Sequence, residues 1–277
     1  DGNYMMVMEY TKQGSLGKLL NSKYGKLDWA SKVANLYYIA SRLNTIYYTN
    51  LVHKDFHSGN IVNQNMYSSY ITDFGLCKPV SQDSNSKALF GVLPYIAPEV
   101  LYSHGKEYTQ KSDIYTFGII ISEVFTGYPP YYNIPHDNVL AIKICYSLRP
   151  KIRCKVPQLL LDLMNKCLDT EPQNRPTAKE LGDTLHQFFK DLKNNKTELY
   201  RQIQNIKDLD KNFITYDQVK YQTHPQAIYT SRLLNLSNLP KPGNNTYIFI
   251  KLVNMLLIVN LLIYKMQVMI FIFLDWI

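Results

Sequence analysis

Apolar residues fall into several distinct rhythms along this chain, and each rhythm predicts an element. Tyr4-Met5-Met6-Val7-Met8-Glu9-Tyr10 is a nearly unbroken apolar run closed by the turn residues Lys12-Gln13-Gly14-Ser15, which predicts a buried strand over 4–10 and then a short helix. From Trp29, the residues Val33, Leu36, Tyr37, Ala40, Leu43 and Tyr47 recur at three- and four-residue steps and so line one face of a long helix. Residues 51–71 read as short strands between loops. Residues 76–94 mix Ser, Asn, Lys and Gly without a period, as a mobile loop does. Residues 114–125 are apolar nearly all round, which predicts a helix in the middle of a domain, capped by Asp113 or Ser112. Leu159, Leu160, Leu163, Met164 and Cys167 make another stripe, and Thr177-Ala178-Lys179-Glu180 opens a capping box for a helix to about residue 189. The first 190 or so residues are therefore expected to be mostly helical.

Beyond residue 193 the pattern fades. Residues 193–245 are rich in Asn, Lys, Gln and Thr with little periodicity and are expected to form a loosely ordered polar tail. Residues 246–277 turn densely apolar, interrupted by Lys251, Asn254, Asn260 and Lys265. Their longest uncharged piece, 252–264, is shorter than the roughly 20 residues a bilayer span needs, although lysines can snorkel from the ends of a longer tilted helix. A membrane helix and the translation of AT-rich non-coding DNA both account for this composition.

Composition narrows the picture further. With 277 residues, 46% of them hydrophobic and 19% charged, the chain is long enough for a sizeable core. The net charge of +8 raises the question of nucleic acid, but the lysines are scattered and no basic stripe alternates with aromatics, so no nucleic-acid partner is expected. Cys77, Cys145, Cys154 and Cys167 show neither C-x-x-C spacing nor a disulfide framework, which suits a reducing interior. A cytoplasmic location is expected, with membrane association through the C-terminal segment left open. No N-terminal charged-then-apolar signal segment precedes the first strand.

The candidate chemistry sits in two short stretches, His53-Lys54-Asp55-Phe56-His57-Ser58-Gly59-Asn60 and, about a dozen residues on, Thr72-Asp73-Phe74-Gly75. Asp73 offers a hard oxygen ligand suited to Mg²⁺, Asn60 adds a neutral amide oxygen, and Asp55 can orient a hydroxyl and accept its proton. That set points to phosphoryl transfer. Taken alone, Asp55 would read as a turn carboxylate; with Asn60 and Asp73 it does not. His53 and His57 have the separation of a helical zinc pair, but no glutamate follows His53 and no third ligand is evident.

These motifs, in this order, resemble the eukaryotic protein kinases, most of all their tyrosine-kinase-like serine/threonine group, over residues 4–192. The resemblance implies an α+β, mostly helical, kinase-like C-terminal lobe with only the last strand of the N-terminal lobe. Met8-Glu9-Tyr10-Thr11 looks like the gatekeeper and hinge that hydrogen-bonds adenine, so Glu9 and Thr11 are implied as ATP-binding positions, with Val62 as the apolar floor under the base. His53-Lys54-Asp55 with Asn60 resembles the catalytic loop, and Asp73-Phe74-Gly75 the metal-binding triplet. Asn60 and Asp73 are thereby implied as Mg²⁺ ligands. His53 is expected to pack beneath Phe74. Ala97-Pro98-Glu99 resembles the end of the activation segment, Asp113 and Gly118 the start of the buried central helix, and Arg175 the arginine that pairs with Glu99. Ser81, Ser84 and Ser86 lie where many relatives are phosphorylated, and Lys54 would face such a phosphate.

The resemblance also has gaps. The glycine-rich loop, strand lysine and helix glutamate of the family all lie upstream of the hinge, and this chain begins after them, with aspartate. A truncated chain is expected, and as written a poor kinase. His57 stands where many relatives carry lysine. With an ordinary pKa near 6.5, its protonation between pH 6 and 8 would be expected to speed transfer. Val92 stands where relatives place a threonine that bonds the catalytic aspartate, and valine cannot make that bond. The implied function is ATP-dependent transfer of a γ-phosphate to a protein hydroxyl, serine or threonine by resemblance. The alternatives are a pseudokinase or scaffold that binds partners without turnover, and a small-molecule kinase. Ala97-Pro98-Glu99 with Arg175 argues against the small-molecule kinase.

Overall fold

The computed structural model of the protein describes residues 10–79, 88–210 and 221–243. In chain order the elements are α1 (Leu16–Lys23), α2 (Trp29–Tyr48), β1 (Leu51–Val52), β2 (Ile61–Asn63), β3 (Ser69–Ile71), β4 (Lys78–Pro79), β5 (Leu89–Gly91), α3 (Pro98–Tyr102), α4 (Gln110–Thr126), α5 (Asn138–Cys145), α6 (Gln158–Cys167), α7 (Ala178–Asp191), α8 (Glu198–Asp210) and β6 (Arg232–Leu234). The strands form three two-stranded antiparallel ladders, β1 with β4, β2 with β3 and β5 with β6. This is the mostly helical α+β architecture expected.

The long amphipathic helix α2 starts at Asp28, whose carboxylate accepts from Ser31 N at 2.8 Å, and buries Val33, Leu36, Ile39, Ala40 and Leu43. It packs against α7, which carries the expected capping box between Thr177 and Glu180. Between these and α6 runs α4, buried at every position from Ser112 to Phe125, as its all-round apolar sequence requires. At Gly118 the helix closes so tightly on the end of α6 that an added Cβ would lie 2.7 Å from Leu168.

Four expectations need correction or limits. Thr109, not Asp113 or Ser112, caps α4. Its side chain accepts from the third helical N–H while the Ser112 hydroxyl accepts from Thr109 N at 3.1 Å. Asp113 instead sits inside the first turn and accepts from the backbone N–H groups of His53 and Lys54. The stretch 76–94 is not all loop. Residues 80–87, with Ser81, Ser84 and Ser86, lie outside the described residues, but Leu89, Val92, Leu93 and Tyr95 are pulled into the core and order the segment around them. The tail at 193–245 was expected to be loose, yet α8 buries Leu199 and Ile203 and β6 joins β5. Leu199, Ile203 and Ile206 do keep a helical step within the tail, a local period obscured by the polar composition around them, and backbone hydrogen bonds supply the rest of its attachment, such as His224 N to Tyr132 O at 2.8 Å. The strand expected over 4–10 lies, except for Tyr10, outside the described residues, as does the apolar segment 246–277. Among the described residues no helix is long and apolar enough to cross a membrane.

Candidate functional site

A hairpin and a loop build the site. Antiparallel pairing of Ile61 with Ile71 sets Asn60 opposite Thr72, whose N–H and hydroxyl both reach Asn60 O, at 2.8 and 3.1 Å. Asn60 and Asp73 therefore leave the same end of the hairpin. Asp73 turns the chain through a left-handed conformation (φ 62°). Asn60 Nδ2 then donates back to Asp55 O at 2.9 Å and toward Asp55 Oδ2 at 3.4 Å. One amide thus ties Asp55 to the strand end that carries Asp73.

Asp55 is buried, and burial pushes its carboxyl pKa up, opposed by the nearby Ser231 hydroxyl, His53 and Asn60. Its Oδ1 has no hydrogen-bond partner among the described residues. His53 donates from Nε2 to Thr72 O at 3.0 Å, accepts Asp55 N–H on Nδ1 at 3.3 Å, and packs on Phe74 with centroids 5.5 Å apart. The packing role expected of His53 is present, with a stitching role added.

His57 Nδ1 accepts the Gly59 N–H at 3.0 Å, so the proton of the neutral ring sits on Nε2, 3.7 Å from Asp55 Oδ1. Burial lowers the His57 pKa from 6.5 to about 4. The expected titration between pH 6 and 8 is therefore corrected: the ring stays neutral across that window. The sign for stability follows. Below pH 6.5 the unfolded chain takes a proton that folded His57 refuses until about pH 4, so the fold loses stability as pH falls through that interval. We expect His57→Gln to remove up to about 3 kcal/mol of this acid destabilisation, measured as urea midpoints at pH 7 and pH 4.5.

Two acidic groups of α4 lie under the loop. Asp113 accepts from His53 N at 2.8 Å and Lys54 N at 3.3 Å, and Glu123 accepts from the Ser58 hydroxyl at 3.0 Å and the Tyr95 hydroxyl at 2.8 Å. Burial raises both carboxyl pKa values to about 7. Sequence reasoning missed the Glu123 contact and misassigned Asp113. The signal was an acidic residue inside an otherwise apolar helix, which has to find donors. Cys77 is no reactive thiol, since burial raises its pKa to about 11.

Asp55, His57 and Asn60 are thus gathered, with Asp73 beside Asn60. Val62 lies two residues along β2, half-buried and bridged to Ser15. Thr11 begins the turn stitched to β2 through Gln13 N to Asn63 O (3.1 Å) and Asn63 N to Gly14 O (2.8 Å). Glu9 lies outside the described residues. Away from the site, the Arg175 guanidinium grips both oxygens of Glu99, at 2.7 and 2.9 Å, as expected. Among the described residues no three His, Cys, Asp or Glu side chains gather as a metal cage.

A helical lobe with a polar loop, a metal-compatible hairpin end and a buried Glu–Arg clamp defines a kinase-type C-terminal lobe. The chain belongs to the protein tyrosine and serine/threonine kinase family, whose model matches residues 1–185. It is 32% identical over 196 residues to MDIS1-interacting receptor like kinase 2 of Arabidopsis thaliana, covering 65% of this chain and 19% of that protein. It is 31% identical over 186 residues to a "Probable serine/threonine-protein kinase" of Dictyostelium discoideum, covering 65% of this chain and 17% of that one. The chain thus spans under a fifth of the length of these two relatives.

Proposed function

We propose that this lobe transfers the γ-phosphate of ATP to serine or threonine hydroxyls of protein substrates. The supporting observation is Asp55, held by Asn60 beside Asp73 with one carboxylate oxygen free of partners among the described residues. Asp55 orients the acceptor hydroxyl and takes its proton; its raised pKa suits that exchange. Asn60 spends its amide nitrogen on Asp55, leaving its oxygen for a cation, and Asp73 supplies a carboxylate oxygen. This pair of hard oxygens would hold Mg²⁺, which would supply positive charge to neutralise the transferring phosphoryl group. Neutral His57 faces Asp55 as a positioning residue. Thr11 and Val62 line the adenine side. The non-catalytic scaffold reading is favoured by Val92, which cannot bond Asp55. Four cysteines without disulfides support a cytoplasmic setting.

The test is made on the full-length protein with ATP, Mg²⁺ and a mixed protein substrate, mapping phosphate by residue type. Mg²⁺-dependent thermal stabilisation by ATP is expected, and Asp73→Asn should abolish its Mg²⁺-dependent part. Neither phosphate transfer nor a Mg²⁺-dependent shift would leave the scaffold reading standing.

A further inference from the structure

The segment 221–243 crosses the lobe, passes beside Asp55 partway along, and ends where Gly243 N donates to Cys145 O at 3.3 Å. Its approach is fixed by the buried His136, whose N–H donates to Gln226 O at 3.0 Å and whose Nδ1 accepts from Ile228 N at 3.0 Å. Tyr229 donates to Pro130 O at 2.9 Å and meets the His136 ring edge-on, and Arg232 donates to His136 O at 2.9 Å. Beyond, β6 pairs antiparallel with β5, Gly91 opposite Arg232 and Leu89 opposite Leu234, and Leu234 and Leu239 are buried. Continuing that register by one residue sets Ser231 opposite Val92, beside the cleft lined by Asp55, His57, Gly91 and Val92. There the Ser231 hydroxyl comes near enough to the Asp55 carboxylate to favour its charged form. Gly91 has φ 144°, and an added Cβ would lie 3.8 Å from Asp55 Oδ1, so backbone pairing there runs directly beside the carboxylate.

An extended strand presenting one hydroxyl to a base is the geometry of a bound acceptor, here supplied by the chain itself. We infer that residues 228–234 are an intramolecular substrate and that Ser231 is a phosphorylation site of this lobe, modified in cis. This rests on the phosphotransfer reading above. In the step, a bond forms between Ser231 Oγ and the γ-phosphorus of a nucleoside triphosphate. The bond from that phosphorus to the β,γ-bridging oxygen breaks, the diphosphate leaves, and the hydroxyl proton passes to Asp55. The product carries about −1.5 to −2 charge at pH 7 against the Asp55 carboxylate, which it repels. Modification therefore unseats the strand and clears the β5 edge for protein substrates. The unphosphorylated tail is a substrate and a plug at once.

The experiment uses full-length protein, dephosphorylated and then given Mg²⁺-ATP with and without an added protein substrate. Phosphate is expected on Ser231 and not on the neighbouring Thr230, at a first-order rate independent of protein concentration. Ser231→Glu should lower KM for the added substrate several-fold. Without nucleotide, amide hydrogen exchange at 89–91 and 232–234 should be slow in wild type and Ser231→Ala and fast in Ser231→Glu. Phosphate on the added protein but never on Ser231 overturns the inference and leaves the kinase reading intact. A rate that rises with protein concentration overturns modification in cis. Phosphate on neither ends the kinase reading and the acceptor role with it. Fast exchange of both strands in wild type removes the seat itself, whatever the activity.

Discussion

Replacing Asp55 with asparagine is expected to lower kcat for phosphate transfer by about 10² to 10⁴-fold, the usual worth of a positioned general base. The fold should survive the change. Asparagine matches aspartate in size, and Asn60 Nδ2 keeps its 2.9 Å bond to the backbone oxygen of residue 55. The lost contact is the hydroxyl-facing one: an amide cannot take the proton, and its NH₂ competes as a donor with the acceptor. KM for ATP should barely move, because nucleotide and cation are assigned to other side chains. Single-turnover transfer in the full-length protein, with melting recorded on the same sample, checks this. A loss under tenfold would contradict the role given to Asp55.

The largest effect on stability is expected at Arg175. Its guanidinium is buried, bidentate on Glu99, and also donates to Asp169 O at 2.8 Å and Lys111 O at 2.9 Å. Arg175→Met strands the Glu99 carboxylate and two carbonyls, and should cost about 3–5 kcal/mol. At roughly 2–4 °C per kcal/mol for a domain of this size, the melting point should fall by about 10 °C. Glu99→Leu combined with Arg175→Met should recover part of the loss, since no charge is then left without its counterpart. Urea midpoints of the two single variants and the double variant measure this directly. Additive losses would show that the pair is not coupled.

What the sequence disclosed depended on how local the cause was. The helices α2, α6 and α7 were legible because each has its own apolar period, and α7 because its capping box lies within four consecutive residues. The grouping of Asp55, Asn60 and Asp73 was legible because the chemistry requires those residue types at close spacing. Ser231 was not legible. It approaches Asp55 from 176 positions away, in a stretch whose composition reads as solvated tail, and only the β5–β6 register brings it there. The depressed pKa of His57 was equally hidden, since it comes from burial, which no neighbour in sequence reports. Glu123 could have been flagged as a charge within an apolar helix, though its partners Ser58 and Tyr95 come from segments far from it in sequence.

Asp113 and Glu123 sit ten residues apart on one helix, about 15 Å at 1.5 Å per residue. That helix acts as a ruler, fixing the spacing between the two ends of the loop it supports. Because it is also the centre of the core, the ruler cannot bend or fray while the rest stays intact. The floor of the cleft belongs to the most cooperative unit of the lobe. Heating should therefore silence the site only when the entire lobe gives way, without an earlier stage in which the body persists and its loop has slackened.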